Sequence, residues 1–280
     1  MRGLLRAELR KTASTSAWWA LLGPVVLLAL SINAFGGLFG ARIAGLGAES
    51  AVVLLASLAY SLGLTSVLAM AHGIVVVTNE FRHRTITATY LTAPGRERVL
   101  LAKILTAGAV GSGYAGAAVV LGAGIGLAVQ GGVALPAPGP LLSVIATGIV
   151  VCWLWSVIGV ALGMLITSQP GALVLALAYV LAGENLLSLM VNSGESAVGP
   201  TGPTPLARLT AYLPVNAGDI ALYDVPAREL AGSRLAGAAV EALAGVTEPP
   251  PGWVALVVLA GWTTAAVTAA WIVGARRDIT

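Results

Sequence analysis

Residues 78–103 read TNEFRHRTITATYLTAPGRERVLLAK, which is the most densely charged passage of a strongly apolar chain. Its charged residues are Glu80, Arg82, Arg84, Arg96, Glu97, Arg98 and Lys103. Ile86 and Tyr90 stand four residues apart on one helical face, which predicts a short amphipathic helix from Arg84 to Leu91. Pro94 and Gly95 then end that helix. A short helix ringed by arginines suits docking onto a partner, and a basic loop that only fixes topology is the alternative.

The composition excludes a soluble globular protein. Of 280 residues, 58% are hydrophobic and 10% are charged, and the mean hydropathy is +0.91. The net charge of +3 does not indicate nucleic-acid binding, because the basic residues cluster at the ends of apolar runs. Cys152 is the only cysteine, so the chain can form neither an internal disulfide nor a cysteine cluster for metal.

We therefore predict an all-α polytopic membrane protein that forms one transmembrane domain over residues 1–280. About 20 helical residues cross a hydrocarbon core, and the apolar runs predict six spans. These are residues 17–38, 51–77, 101–129, 141–166, 171–191 and 253–273. Arg2, Arg6 and Arg10 recur every four residues, which predicts an amphipathic interfacial helix over residues 1–16. Residues 79–98 form the predicted cytoplasmic coupling segment, and residues 192–252 form a helical outer segment.

The distribution of charge predicts the orientation. With the N-terminus inside, eleven basic residues face the cytoplasm, and only Arg42, Arg208, Arg228 and Arg234 lie outside. Six spans then place both termini in the cytoplasm of a multi-pass protein, and the composition is typical of a bacterial plasma membrane protein. In the outer segment, Pro205–Leu213 and Ala227–Ala244 are predicted to be helical. The segment is interpreted either as a solvated cap or as a gate.

Several sites are excluded by their missing motifs. The two lysines of the sequence are Lys11 and Lys103. Neither lies in a Gly-Lys-Ser/Thr sequence, so the sequence contains no Walker-type ATP site. The chain has neither H-E-x-x-H nor G-x-S-x-G, which excludes common membrane hydrolases. The G-x-G-x-x-G match at residues 111–116 lies inside a span, so close helix packing is the expected role. The same applies to the glycine pairs 122/126 and 159/163. We expect no enzymatic activity and no cofactor or metal in this chain.

Glu184, beside Asn185, is the one carboxylate that falls clearly within an apolar run. Such a residue usually faces the bundle interior or a water-filled path. The pair is therefore a candidate for the substrate path, and contact with a helix partner or solvation at the surface remains the alternative. A proton-coupled carrier normally needs more than one such group, and the sequence shows no second one.

The charged stretch resembles the segment that follows the second span in permease subunits of type-2 ABC exporters. The resemblance lies in Glu80-Phe-Arg-His-Arg-Thr85, in Pro94-Gly-Arg96-Glu-Arg98 and in Lys103. In that family an acidic residue closes the second span, a coupling helix led by threonine follows, and a proline turn leads to a lysine. This chain has Arg84 where a glycine often precedes the threonine.

The resemblance implies a transmembrane subunit that works with a second permease copy, in a homodimer or heterodimer, and two ABC-type ATPase subunits. ATP and magnesium would be bound by those partners, and membrane lipids would surround the spans. The implied ATPase-coupling residues are Glu80, Arg84, Thr85, Thr87, Tyr90, Pro94, Arg96, Arg98 and Lys103. The implied function is outward movement of a lipophilic or amphipathic substrate such as a drug, lipid or natural product.

Two alternatives from other classes remain open. One is a secondary carrier or channel that works without ATP, and the other is a membrane scaffold subunit that transports nothing. A neighbouring gene that encodes a P-loop protein would favour the exporter over both.

Overall fold

The computed structural model describes residues 2–40, 51–87, 95–130, 135–192, 198–199 and 202–276, and almost all of them are helical. Ten helices are described: α1 Arg2–Ser14, α2 Ala17–Phe35, α3 Ala51–Arg82, α4 Arg96–Gln130, α5 Pro138–Ile166, α6 Gln169–Ala178, α7 Glu184–Asn192, α8 Pro205–Leu209, α9 Pro214–Ala244 and α10 Gly252–Arg276. A π-helical turn, Gly36–Gly40, continues α2, and a second one, Tyr179–Gly183, joins α6 to α7. A 3-10 turn, Thr210–Tyr212, follows α8. Two two-residue strands, Val198–Gly199 and Gly202–Pro203, pair antiparallel.

Six helical segments of the described chain are long and apolar enough to cross a membrane, which confirms the predicted number of spans. They cover Ala17–Phe39, Ala51–Arg82, Arg96–Val129, Pro138–Ile166, Gln169–Val191 and Gly252–Arg276. The second and third run past their predicted ends. At 1.5 Å per residue, the 32 residues of α3 extend about 48 Å, which exceeds a hydrocarbon core of about 30 Å. The protein is thus a multi-pass bundle whose central helices extend beyond the apolar layer.

Helix α3 is the central element of the bundle. It packs against α2, α4, α5, α6 and α9, and its contact with α5 is the most extensive. Its buried face carries Leu55, Leu58, Leu62 and Ile74, each fully or almost fully excluded from solvent. Helix α3 therefore connects the two features described below, at its end near Glu80 and at its middle beside α9.

Glycines allow α3 and α5 to approach closely. A Cβ atom on Gly159 would overlap the backbone oxygen of Met70, and one on Gly163 would lie 3.0 Å from the oxygen of Ile74. The expected packing role of the 159/163 pair is therefore confirmed. The 122/126 pair likewise packs against a neighbour, since a Cβ on Gly122 would lie 2.5 Å from Asn33 Nδ2. Small residues thus set the distance between the helix backbones.

The three glycines of the 111–116 motif differ in how closely a neighbouring helix approaches them. A Cβ on Gly111 would overlap the Ser156 hydroxyl, whereas a Cβ on Gly113 or Gly116 would meet no atom of another described element within 4 Å. Only the first glycine of this motif is required for helix packing within the chain.

The outer segment differs from its sequence-based description. α8 and the 3-10 turn occupy the predicted helical stretch 205–213, but the following helix begins at Pro214, thirteen residues before the predicted Ala227. Its first half is buried at Val215, Ala217, Ile220 and Leu222, among others, and α9 packs against α3, α5 and α10. The solvated-cap interpretation therefore does not describe this half, and Gly232, with φ of 72°, separates it from the second half.

The buried half of α9 lies beside the middle of α3. A Cβ built on Gly63 would be 3.5 Å from Asp219 Oδ1. Gly63 is twelve residues from Ala51, the first described residue of α3, which corresponds to about 18 Å along that helix. The start of α9 thus reaches the depth of the apolar spans instead of lying outside them.

Replacing Gly159 with alanine should lower the free energy of unfolding by about 1–3 kcal/mol, because the new methyl group would overlap the backbone of α3. Chemical or thermal unfolding of the protein in detergent or nanodiscs measures this loss. Gly116→Ala is the matched control, since nothing approaches that position and alanine favours a helix over glycine. Equal stability of the two variants would contradict the packing role of Gly159.

Candidate functional site

Two lysines and two glutamates form a charge cluster where α1, α3 and α4 meet; Glu8, Glu80 and Lys103 are buried in it, and Lys11 lies at its exposed edge. Lys103 Nζ lies 2.5 Å from Glu80 Oε1 and 3.0 Å from Glu8 Oε2, and its side chain is only 1% exposed. Lys11 Nζ lies 2.8 Å from Glu8 Oε1 and 3.1 Å from Glu80 Oε1. The four charges sum to zero, and each glutamate contacts both lysines. We call Glu8, Lys11, Glu80 and Lys103 the four-residue charge cluster.

The positions of the four residues on their helices explain how this cluster forms. Glu80 and Lys103 lie on the final turns of α3 and the first turns of α4, at the two sides of the connection between them. Glu8 is the only acidic residue of α1, and it stands three residues before Lys11, so both lie on one face of the helix. Arg2, Arg6 and Arg10 are exposed. Helix α1 therefore binds the bundle through Glu8, which contacts Lys103 of α4, and through Lys11, which contacts Glu80 of α3.

Electrostatic attraction outweighs burial at Glu8. Burial alone would raise the pKa of the Glu8 carboxyl, but the charges and hydrogen bonds of Lys103 and Lys11 hold that pKa below its ordinary value. Burial would lower the pKa of Lys11, but contacts with Glu8 and Glu80 raise it. Both groups are therefore charged at neutral pH, as a salt-bridged cluster requires.

A cleft beside the cluster opens between α1 and the end of α3. Its volume is about 370 Å³, and its lining includes Glu8, Lys11, Thr12, Asn79, Glu80 and His83. The second carboxylate oxygen of Glu80 is buried and has no hydrogen-bond partner within the described part of the chain. Three of the four carboxylate oxygens in the cluster are therefore paired with lysines, and Glu80 Oε2 remains able to accept a hydrogen bond.

The short helix of the coupling segment begins at a different residue from the one predicted. α3 ends at Arg82, and Arg84 has a φ of 54°, which is incompatible with a right-handed helix. The Thr85 amide donates to the Glu80 oxygen at 3.0 Å, which closes the turn. The helix resumes only at Ile86, so the predicted start at Arg84 is wrong. A residue with this backbone angle reverses the chain direction, and glycine would do so at a lower cost.

The predicted coupling residues fall into three groups. Glu80 and Lys103 are brought together in the charge cluster. Arg84, Thr85, Thr87, Arg96 and Arg98 are exposed on the surface near it, and Arg96 Nη1 also donates to the Gly274 oxygen of α10 at 3.2 Å. Tyr90 and Pro94 lie outside the described residues, as does the predicted end of the helix at Leu91.

Glu184 contacts a helix partner. Its side chain is fully buried, with Oε1 2.7 Å from the Asn216 amide and Oε2 3.1 Å from the Val215 amide. These are the first free amide donors of α9, because Pro214 has none and Leu213 offers no side-chain cap. A carboxylate at this position is stabilised by the positive end of the helix. Glu184 therefore anchors the start of α9 across the bundle.

A π-helical turn precedes Glu184 and places it toward α9. The turn, Tyr179–Gly183, inserts one extra residue into the helical register, as π-bulges at functional positions often do. Asn185 is exposed, and its Nδ2 donates to the Leu181 oxygen at 3.3 Å.

A second carboxylate close to Glu184, that of Asp219, was missed by the sequence analysis. It lies one turn beyond Asn216 on α9 and lines a cavity of about 200 Å³ together with Asn185. The sequence placed it in the polar outer segment, so the statement that no second acidic group accompanies Glu184 is wrong. The missed signal is the apolar spacing of Val215, Ile220 and Leu222 around it, which is typical of a buried helix.

Replacing Lys103 with methionine should lower the free energy of unfolding by about 3 kcal/mol, because it leaves buried glutamates without their shared lysine. Unfolding of the purified protein measures the effect, and proteolysis of α1 reports whether that helix detaches. The control is Arg98→Met, which removes an exposed charge from the same helix. A charge cluster that contributes nothing would leave both variants as stable as the wild type.

No model of a known protein family matches the chain, and no curated protein matches it.

Proposed function

We propose that the chain is the transmembrane subunit of an ATP-driven exporter of the type-2 ABC class. It would move a lipophilic or amphipathic substrate outward with a second permease copy and two ATPase subunits. ATP and magnesium would be bound by those ATPase subunits. The six-span architecture is compatible with this function, and the observation that carries the proposal is the four-residue charge cluster at the start of the coupling segment.

The cluster supports the proposal because it would transmit force. The coupling segment leaves α3 directly after Glu80, whose backbone oxygen accepts from Thr85 and whose side chain binds Lys103. A push on the exposed residues around Thr87 would therefore reach α3 and α4 together. Through Glu8 and Lys11 it would also reach the interfacial helix α1.

Close packing would carry the displacement further. α3 and α5 touch through the backbone at Gly159, so a shift of α3 would be passed on to α5 with little loss. Arg96 additionally connects the start of α4 to the end of α10. A rigid-body movement between two packings of such a bundle is a recognised means of alternating access.

The exposed surface around the cluster has the chemistry of a docking site. Arg84, Arg96 and Arg98 are exposed together with Thr85 and Thr87. Arginine forks bind carboxylates in two-pronged geometry, so an acidic groove on an ATPase subunit would complement them. Six apolar spans alone would not require such a surface.

A secondary carrier is the second candidate, and one observation favours it. Asp219 and Glu184 place two carboxylates close together at the depth of the spans, as proton-coupled carriers use. In that case transport would follow a proton gradient and require no ATPase. A non-transporting scaffold subunit is the third possibility, and it would show neither dependence.

Replacing Glu80 with alanine should reduce substrate efflux by about tenfold while the ATPase subunits still copurify and hydrolyse ATP. The reason is that the variant removes the glutamate that connects the start of the coupling segment to Lys103 of α4. The measurement combines a pull-down from cells that express the genomic neighbours with an ATPase assay in lipid nanodiscs. Glu97→Ala, which removes an exposed carboxylate from the same region, is the control.

The proposal is wrong if no nucleotide-hydrolysing protein copurifies with the wild-type chain. Substrate efflux that needs no ATPase and stops when the proton gradient is dissipated would then identify the secondary carrier instead. Wild-type efflux in the Glu80 variant, with the ATPase subunits bound, would refute the coupling role of the cluster alone.

A further inference from the structure

The cavity beside Asp219 lies inside the bundle and has an aromatic wall. α3, α5, α9 and the π-helical turn enclose about 200 Å³. Its lining includes Tyr60, Trp155, Asn185, Asp219 and Tyr223. Trp155 and Tyr223 are buried, whereas Tyr60 is half exposed. The volume is smaller than that of a typical drug site, so it fits the head of a ligand and not a whole drug-sized molecule.

The charge of this cavity is not balanced by the protein. Within the described part of the chain Asp219 forms neither an ion pair nor a hydrogen bond. The nearby Glu184 carboxylate is also negative, so it repels the Asp219 carboxylate and does not neutralise it. Asp224, five residues further along α9, is paired with Arg228 at 2.9 Å. Asp219 is partly exposed where it lines this cavity. Because a carboxylate without a counter-charge is costly beside apolar and aromatic walls, a cation that enters the cavity would be favoured.

The lining favours an organic cation over a metal ion. Calcium and magnesium require about six oxygen ligands, and no group of three or more metal-binding side chains occurs in the described residues. Aromatic rings such as those of Tyr60, Trp155 and Tyr223 attract quaternary ammonium groups through their electron-rich faces. One carboxylate with three aromatic side chains therefore matches a soft monocation.

A second, apolar cavity adjoins the first. It measures about 430 Å³ and shares Trp155 and Val180 with the Asp219 cavity. The rest of its lining includes Met70, Ile158, Leu162 and Trp262, and no charged side chain contributes to it. The pair of cavities thus offers a charged compartment beside a larger apolar one.

We propose that the two cavities form one binding site for a lipophilic monocation. The cationic head would lie against Asp219 among the aromatic side chains, and the apolar tail would occupy the adjoining cavity. This inference rests on the proposed function and names its substrate class. The proposed site also assigns a role to α9, because the first half of that helix places Asp219 beside the middle of α3.

The test is equilibrium binding of radiolabelled octyltrimethylammonium to the full chain in nanodiscs, with empty nanodiscs subtracted. Asp219→Asn should weaken binding by about tenfold or more, since a charge-assisted contact is lost while the side-chain shape is kept. Asp224→Asn, on the same helix, should bind with wild-type affinity. Octyl sulfate, with the same tail and the opposite charge, should compete poorly. Tetramethylammonium, which lacks the tail, should also compete poorly.

A second variant protects the test against misfolding of the first. Tyr60→Leu removes one aromatic side chain from the wall at a half-exposed position, and it should weaken binding severalfold. The inference is overturned if octyltrimethylammonium does not bind, or if binding is unchanged in both the Asp219 and Tyr60 variants. It is also overturned if octyl sulfate binds equally well. None of these results bears on whether an ATPase copurifies, so the proposed function is tested separately.

Discussion

The structure depends on the burial of Lys103 between two glutamates. A lysine with 1% exposure must be paired, because an isolated ammonium in an apolar bundle costs far more free energy than a folded domain has to spare. Glu80 and Glu8 provide the pairing, at 2.5 Å and 3.0 Å. Since these residues come from three helices, the requirement to neutralise one charge fixes the relative positions of α1, α3 and α4. Any movement of the coupling segment must carry this group with it or break it.

A similar constraint organises the opposite part of the bundle. α9 begins with buried amides that need acceptors, and Glu184 supplies both carboxylate oxygens from the fifth span. This contact holds the first half of α9 against α3 and α5, where Asp219 lines the central cavity. The fold therefore uses buried charge twice, once to join α1, α3 and α4 and once to hold the start of α9 against the spans.

Periodicity and hydropathy were sufficient to predict the six spans and their approximate positions. They also singled out Glu80 and Lys103, because charges at the ends of apolar runs are conspicuous in such a sequence. Glu8 could not be recognised in this way, since a single acid in a basic surface helix reads as solvated. Its importance follows only from the tertiary contact with Lys103.

The remaining differences have local physical causes. Arg84 adopts a left-handed backbone, which the sequence pattern of Ile86 and Tyr90 could not indicate. Asp219 was assigned to the outer segment because Asn216, Gly218 and Pro226 break the apolar character of its helix. In the structure two of these residues join α9 to its neighbours. The Asn216 side chain donates to Ser188 and to the Thr210 oxygen, and Gly218 leaves space for the close approach of Trp155.

The most direct test of the central claim is a pair of spin-label distances, measured in the complex that the chain is proposed to form with ATPase subunits. One pair joins Arg6 of α1 to Thr87 of the coupling segment, and the other joins Thr87 to Val174 of α6. All three positions are exposed. If the charge cluster moves as one unit, ATP binding leaves the first distance unchanged and shifts the second by several ångströms. If the first distance changes as much as the second, or neither changes, the cluster does not transmit the motion.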